Sequence, residues 1–188
     1  MPYAAIPTIF ALHQFVEGGL WLALPASSPW TDSLTITYLM FSNVFWPIYV
    51  PLAVLMIEPS MAHRRRLLFP IVAGVGTGAF FLFALSMNPV SAEITGSHIH
   101  YDLPHSHDKI AFAFYAVATC LAPLLSSHPM VKLFGVALIL SMAAAYASYA
   151  VWFASVWCFF AALLSVVVYL HFRRRETQGA QTSVSQQV

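Results

Sequence analysis

The stretch LLFPIVAGVGTGAFFLFALSMN at residues 67–88 decides the fold class, because it contains no charged side chain. A helix crosses the hydrocarbon core of a bilayer with about 20 consecutive apolar residues. The whole chain, which includes this stretch, is 60% hydrophobic and only 8% charged. Soluble domains carry about 25% charged residues, because their surface must face water. The composition therefore excludes an ordinary soluble domain and indicates a protein that crosses a membrane several times.

Further apolar runs before and after this stretch predict the remaining helices. We expect helices over 3–24, 34–57, 67–88, 109–126, 131–150 and 152–172. The predicted fold class is therefore all-α, a polytopic membrane bundle of about six transmembrane helices. Residues 1–175 would form a single transmembrane domain. The last segment, 176–188, is rich in Gln, Ser and Thr, and we predict that it is a disordered polar cytoplasmic tail.

Basic residues at the ends of the apolar runs predict the topology. Two arginine triplets, 64–66 and 173–175, and Lys132 fall on the same side of a six-helix arrangement. Because Lys and Arg are enriched in cytoplasmic connections, we predict an inner (plasma) membrane protein with a cytoplasmic C-terminus. The loop at 97–108 would then be extracytoplasmic. The net charge is only +1, so the sequence does not indicate the basic surface that binds nucleic acid. The expected partners are the lipid bilayer and a lipid or small-molecule ligand.

Two ionisable residues, His13 and Glu17, lie within the first predicted helix. Their spacing of four places them on the same helix face, and Trp21 would extend this face by another turn. An ionisable side chain in hydrocarbon costs roughly 2.5–3.5 kcal/mol on insertion scales, so it usually faces the bundle interior with a partner. His13 and Glu17 are therefore candidate catalytic residues. The alternative is that they bond to each other or to nearby hydroxyl groups as structural contacts.

The segment 97–108 holds four of the eight histidines and is the candidate metal site. In an extended strand alternate side chains point to one side, so several of its polar groups would converge. Imidazole and carboxylate groups suit zinc or another divalent transition metal. The candidate ligands are His98, His100, Asp102, His105 and His107. The alternative is a solvated loop that happens to be rich in histidine.

Prolines and glycines inside the predicted helices indicate local departures from a regular bundle. Pro47 and Pro51 leave backbone carbonyl groups without a helical donor, and the neighbouring Ser42 and Asn43 can satisfy loose groups. This pattern predicts a packing kink or, alternatively, a helix broken around a ligand cavity, as in transporters. Gly74, with another glycine four residues later, indicates close packing of the third helix.

Four segments of the chain resemble an uncharacterised family of bacterial multi-pass integral-membrane proteins, a domain of unknown function. They are QFVEGGLW at 14–21, FWP at 45–47, YD at 101–102 and SVWCFFAA at 155–162. The resemblance runs over nearly the whole chain up to Arg173, and SVWCFF is its most specific part. It implies a membrane bundle of about six helices, or of seven if a further helix precedes this chain, since members usually begin with one. It implies no reaction and no catalytic residue.

Three functions follow from these residues. The first is a metal-assisted membrane hydrolase, with His13 and loop histidines as ligands and Glu17 as ligand or general base. The HxxxH spacing of seven-helix hydrolases of the ceramidase type is absent, because none of the eight histidines stands four residues from another. The second is a proton-coupled transporter or ligand sensor that uses Glu17 and His13. The third is a structural membrane subunit in which the polar groups only fix helix packing.

Overall fold

The computed structural model describes residues 2–103, 109–149, 156–166 and 168–169, and these are mostly helical. Three helices come first: α1 is Pro2–Ala23, α2 is Thr31–Ile57 and α3 is Met61–Met87. A hairpin follows, with β1 at Ser91–Thr95 and β2 at His98–Asp102. Three further helices complete the described fold: α4 is Lys109–Leu124, α5 is Pro129–Tyr149 and α6 is Val156–Val166.

The apolar runs located α1, α2, α4 and α5 to within a few residues, and α3 begins at Met61 rather than at 67. The first arginine triplet therefore lies in the opening turns of α3, where its side chains are exposed. The predicted ends of the last helix, 152 and 172, lie outside the described residues. The predicted tail 176–188, the second arginine triplet at 173–175 and the expected turn near 150–152 all lie outside the described residues.

Helices α2 and α3, together with the part of α5 from Pro129 to Ala147, are long and apolar enough to cross a membrane. The outside of the described bundle carries many large apolar side chains. Phe15 is 82% exposed, Leu22 78% and Val72 70%. Soluble monomers rarely expose contiguous apolar patches of this kind. Both observations indicate association with a membrane.

The predicted connection at 89–108 contains an antiparallel β-hairpin, in which Thr95 pairs with His98 around a two-residue turn. Gly96 occupies the first turn position with φ +64°, which a type II′ turn requires and glycine adopts without strain. On one face of β2, Ile99 and Tyr101 are buried in a cluster that also contains Tyr38 and Leu20. The hairpin therefore covers one end of α1 and α2.

Helices α2 and α4 each contain a π-helical turn, at Met40–Phe45 and Val117–Leu121. In α2 the π turn precedes Pro47, which has no N–H group to donate to the preceding turn. The Asn43 side-chain amide donates to the Leu39 carbonyl oxygen at 3.4 Å and to Ser42 Oγ at 2.8 Å. The π turn before Pro47 widens α2 locally. The helix continues to Ile57, so neither Pro47 nor Pro51 breaks it.

Gly74 allows a close approach between α2 and α3. A Cβ atom at this position would lie only 1.9 Å from the Pro47 carbonyl oxygen. Any larger residue would therefore push the two helices apart, since backbone atoms cannot yield as a flexible side chain can. The close packing that the glycine spacing predicts is present at this position.

Candidate functional site

Helix α1 presents one continuous buried face to the rest of the bundle. Its buried residues recur every three or four positions, as expected for one side of a helix: Tyr3, Ile6, Phe10, His13, Glu17, Leu20 and Ala23. The two ionisable residues therefore face the interior. Trp21 does not extend this face, because it is 38% exposed and Leu20 takes the inward position.

His13 is completely buried and bonds to α2 rather than to Glu17. Trp46 Nε1 donates a hydrogen bond to His13 Nδ1 at 3.1 Å. Since the indole N–H can only donate, Nδ1 must accept, and the proton of the imidazole is on Nε2. The ring centroid lies 4.5 Å from that of Tyr38 and 5.3 Å from that of Phe41. The Tyr38 backbone carbonyl also faces the ring, although Nε2 makes no hydrogen bond of standard geometry.

Glu17 is 6% exposed and lies beside protic side chains from three other elements. These neighbours are Tyr38 on α2, Tyr101 on β2 and Cys158 on α6, and each interacts electrostatically with the carboxylate. The rings of Tyr38 and Tyr101 stack, with centroids 4.3 Å apart and planes inclined by 5°. The site is a carboxyl group surrounded by O–H and S–H groups.

Tyr101 is a neutral phenol beside this carboxyl group. Burial, followed by the nearby Glu17 carboxylate, raises the pKa of the Tyr101 phenol well above its usual range. Its hydroxyl oxygen faces both Tyr38 and Glu17 but reaches neither with full hydrogen-bond geometry.

A small apolar cavity lies next to the carboxyl site, with a volume of about 20 Å³. This is space for water rather than for a drug-sized ligand, which needs about 300–1,000 Å³. Its wall includes Phe10, Trp46, Tyr115, Thr119, Trp157 and Cys158. Cys158 therefore borders the cavity and also contacts the Glu17 site.

The profile of a family described as a family of unknown function, DUF6629, matches residues 1–183. The chain belongs to DUF6629. No curated protein and no solved structure matches this DUF6629 chain. The four segments that carry the resemblance contribute Glu17, Trp46, Tyr101 and Cys158. The fold thus brings one residue from each of these segments to the carboxyl site or the cavity beside it.

The predicted metal ligands of the DUF6629 chain lie away from Glu17 where they are described. His98 and His100 alternate along β2 with the buried Ile99 and Tyr101, so they occupy the other face of the strand. Asp102 is exposed at the end of β2. The other two predicted ligands, at positions 105 and 107, fall outside the described residues.

Within the described ranges, no three His, Cys, Asp or Glu side chains form a group that could hold a metal ion. We expected His13 and loop histidines to act as metal ligands, with Glu17 as ligand or general base. Among the described hairpin residues, Tyr101 lies next to Glu17, and the histidines at 105 and 107 lie outside the described residues. Metal binding therefore stays a prediction.

Nothing in the sequence places two aromatic residues, Tyr38 and Trp46, beside Glu17 and His13. Tyr38 lies in an apolar run without any motif around it, and Trp46 was noted only as part of FWP. Their partners stand far away in the chain, since the bond between Trp46 and His13 joins positions 33 apart. No local pattern could have revealed these contacts.

A second buried carboxylate, Glu58, joins two connections at the opposite end of α2. It accepts hydrogen bonds from the Ser127 backbone N–H at 2.7 Å, Ser126 Oγ at 3.1 Å and the Ser60 backbone N–H at 3.4 Å. Burial acts to raise the pKa of Glu58, but the bonds from Ser127, Ser126 and Ser60 outweigh it and lower the pKa below 4.5. Glu58 therefore acts as a structural clamp between the connections at 58–60 and 125–128.

Proposed function

We propose that this chain is a multi-pass inner-membrane protein whose buried Glu17 carboxyl group binds and releases a proton in step with a small-molecule ligand. It would act as a proton-coupled transporter or a ligand sensor. The observation that carries the proposal is the position of Glu17 among Tyr38, Tyr101 and Cys158 in the bundle interior. Ionisable residues in such positions are costly and usually mark proton or substrate paths.

The proposed membrane orientation rests on the ends of the helices. The arginine triplet 64–66 opens α3, and Lys132 lies in the first turn of α5. The hairpin follows the other end of α3, and α4 begins at Lys109 on the hairpin side. The hairpin therefore lies on the side of the bundle opposite to the triplet 64–66 and Lys132. The positive-inside rule then makes the basic end cytoplasmic. Glu17, close to the hairpin, would be reached from the extracytoplasmic side.

Proton binding by Glu17 can be measured without knowledge of the ligand. Infrared difference spectra of the purified protein in vesicles, recorded as the pH is changed, should contain a carboxyl C=O band that Glu17→Gln removes. The control is Glu93→Gln, since Glu93 is exposed on β1 and should contribute no band of a buried carboxyl. If the band survives Glu17→Gln, or no buried carboxyl titrates while the protein stays folded, the proposal is wrong.

A transport measurement then tests whether proton movement across the membrane depends on Glu17. Vesicles that contain the protein and a pH-sensitive dye should show a proton flux under an imposed pH gradient above that of empty vesicles. This flux should be lost in Glu17→Gln and kept in Glu93→Gln. Equal flux in the wild type and in Glu17→Gln would contradict a proton-coupled transporter and leave ligand sensing as the role of the site.

Zinc binding at the hairpin is a second proposal, and β2 supports it by placing His98 and His100 on one face. Metal analysis of the purified protein should find a stoichiometric divalent metal that His98→Ala/His100→Ala loses. Absence of metal after zinc is added to the wild type would reject both this site and a metal-assisted hydrolase.

A further inference from the structure

Positive charge is concentrated at the end of the bundle where α3 and α5 begin. The arginine triplet 64–66 lies in the opening turns of α3 and Lys132 in the first turn of α5, and all four side chains are exposed. Glu58 joins the two connections that precede these helices, so both helix starts lie at the same end. The N-terminus of a helix carries a partial positive charge, which adds to the charge of the four side chains.

Acidic side chains do not neutralise this surface. Among the described residues, Glu58 is the only acid at this end, and it is 1% exposed because the serine donors of the clamp surround its carboxylate. The exposed acids of the described chain lie in the hairpin or in the first turn of α2, and they are Asp32, Glu93 and Asp102. The exposed surface where α3 and α5 begin is therefore positive.

Arg65 lies on the outward face of α3, directly before a stripe of exposed apolar side chains. Residues three, four and seven positions after a helical residue share its face. For Arg65 these are Leu68, Phe69 and Val72, which are 56%, 59% and 70% exposed. Long side chains on a helix lean toward its N-terminus, so the guanidinium group extends away from this apolar stripe. The face thus combines a cationic head with a hydrocarbon-facing stripe.

The three arginines of the triplet have different surroundings. Arg64 Nη1 donates to the Glu58 backbone carbonyl oxygen at 3.4 Å, so Arg64 is tied to the connection before α3. Arg66 lies about 100° further round the helix than Arg65. The residue one turn after Arg66 is Pro70, which is buried. Arg65 is therefore the arginine that stands above the apolar stripe.

We propose that this face of α3 binds an anionic phospholipid, with the headgroup phosphate at Arg65 and an acyl chain along the apolar stripe. Arginine suits a phosphate group because its planar guanidinium can donate two parallel hydrogen bonds. Arg66 and Lys132 would add attraction through the positive surface around the headgroup. The inference does not require Glu17 to titrate, so it can fail or succeed independently of the proposed function.

The apolar stripe favours a lipid over a soluble anion. Leu68 and Phe69 follow Arg65 within about one turn, so hydrocarbon chains beside them have their headgroups at the level of the guanidinium group. A lysine or arginine next to the membrane attracts anionic headgroups by an amount that corresponds to about fivefold in affinity. A zwitterionic headgroup has no net charge and gains little from this attraction.

The test is native mass spectrometry of the full-length protein in detergent, titrated with phosphatidylglycerol or with phosphatidylcholine of the same chain length. The wild type should bind phosphatidylglycerol more tightly. Arg65→Gln should weaken the binding of phosphatidylglycerol by about fivefold and leave that of phosphatidylcholine unchanged. Arg65→Lys keeps the charge and should lose less. Lys109→Gln is the matched control, because Lys109 is an exposed cation at the hairpin end, and it should keep both affinities.

The wild-type measurements test the proposal even without a variant. Equal affinities for the two lipids overturn it. Glycerol 3-phosphate carries a phosphate without acyl chains and should bind more weakly than phosphatidylglycerol, and equal binding would assign Arg65 to soluble anions instead.

Two outcomes with variants would also overturn the proposal. Equal losses of phosphatidylglycerol affinity in Arg65→Gln and Lys109→Gln would mean that the position of the charge does not matter. The same spectra report the oligomeric state, and a dimer that Phe69→Ala dissociates would show that a second copy of the chain covers the stripe.

Discussion

The Tyr115 hydroxyl group donates a hydrogen bond to the backbone carbonyl oxygen of Ser42 at 2.7 Å, and this bond joins the two helices that contain π turns. Ser42 lies inside the π turn of α2, and Tyr115 lies two residues before the start of the π turn of α4. π turns leave carbonyl groups without their usual helical donor and often occur at functional sites. The Tyr115 bond thus stabilises the irregular backbone next to the cavity.

Tyr115→Phe should destabilise the protein by about 1–3 kcal/mol, because the buried Ser42 carbonyl loses its donor. The measurement is the midpoint of thermal unfolding in detergent. Tyr146→Phe is the matched control, since Tyr146 is 54% exposed and should change the midpoint little. Equal midpoints for the two variants would show that the bond does not stabilise the fold.

Gly74→Ala should destabilise the protein by about 1–3 kcal/mol or more, because the new Cβ would collide with the Pro47 carbonyl oxygen. Gly76→Ala is a close control two residues away, where a Cβ would meet nothing within 4 Å. There the change should be neutral or should stabilise α3 by up to about 1 kcal/mol. Thermal unfolding of both variants checks the prediction, and a Gly74→Ala midpoint at or above that of Gly76→Ala would contradict it.

The hydrogen bond from Trp46 to His13 should appear as a coupling energy between these two residues. Trp46→Phe and His13→Leu each leave a buried polar atom or a space behind, so each should lower stability. The double variant should lose less than the sum of the two losses, by about 0.5–3 kcal/mol. The free energies come from denaturant unfolding in detergent. Strictly additive losses would mean that the bond contributes nothing.

The Glu58 clamp should make stability depend on pH in the acid range. The folded protein holds the pKa of Glu58 below its ordinary value of 4.5. The stabilisation is therefore complete above about pH 4.5 and is lost as the pH falls through the lower folded value. Thermal midpoints measured across this range should fall for the wild type and fall less steeply for Glu58→Gln.

Glu58→Gln should also lower stability at neutral pH by about 1 kcal/mol, since hydrogen bonds to a charged acceptor are stronger than those to a neutral one. Glu93→Gln on the exposed strand β1 is the control and should keep both the neutral midpoint and the acid slope of the wild type. An unchanged acid slope in Glu58→Gln would assign the pH dependence to another group.

Helix positions and the candidate carboxylate follow from the sequence by itself. In the hydrocarbon core, a continuous apolar run can pair its backbone N–H and C=O groups within the segment only as a helix. The positions of the helices therefore follow from the apolar runs in the sequence. Glu17 stands out because a charge inside such a run is costly. The spacing of His13 and Glu17 likewise fixes their common face, because the helix period is a local property.

Only the tertiary structure decided what these residues contact. The spacing favoured contact between His13 and Glu17, but His13 accepts from Trp46, and Glu17 faces Tyr38, Tyr101 and Cys158. The Glu58 clamp joins positions 68 and 69 apart. Such contacts depend on how helices pack and where the hairpin folds back, and neither leaves a periodic trace in the chain. The sequence located the costly charge, and the packing of distant elements determined its partners.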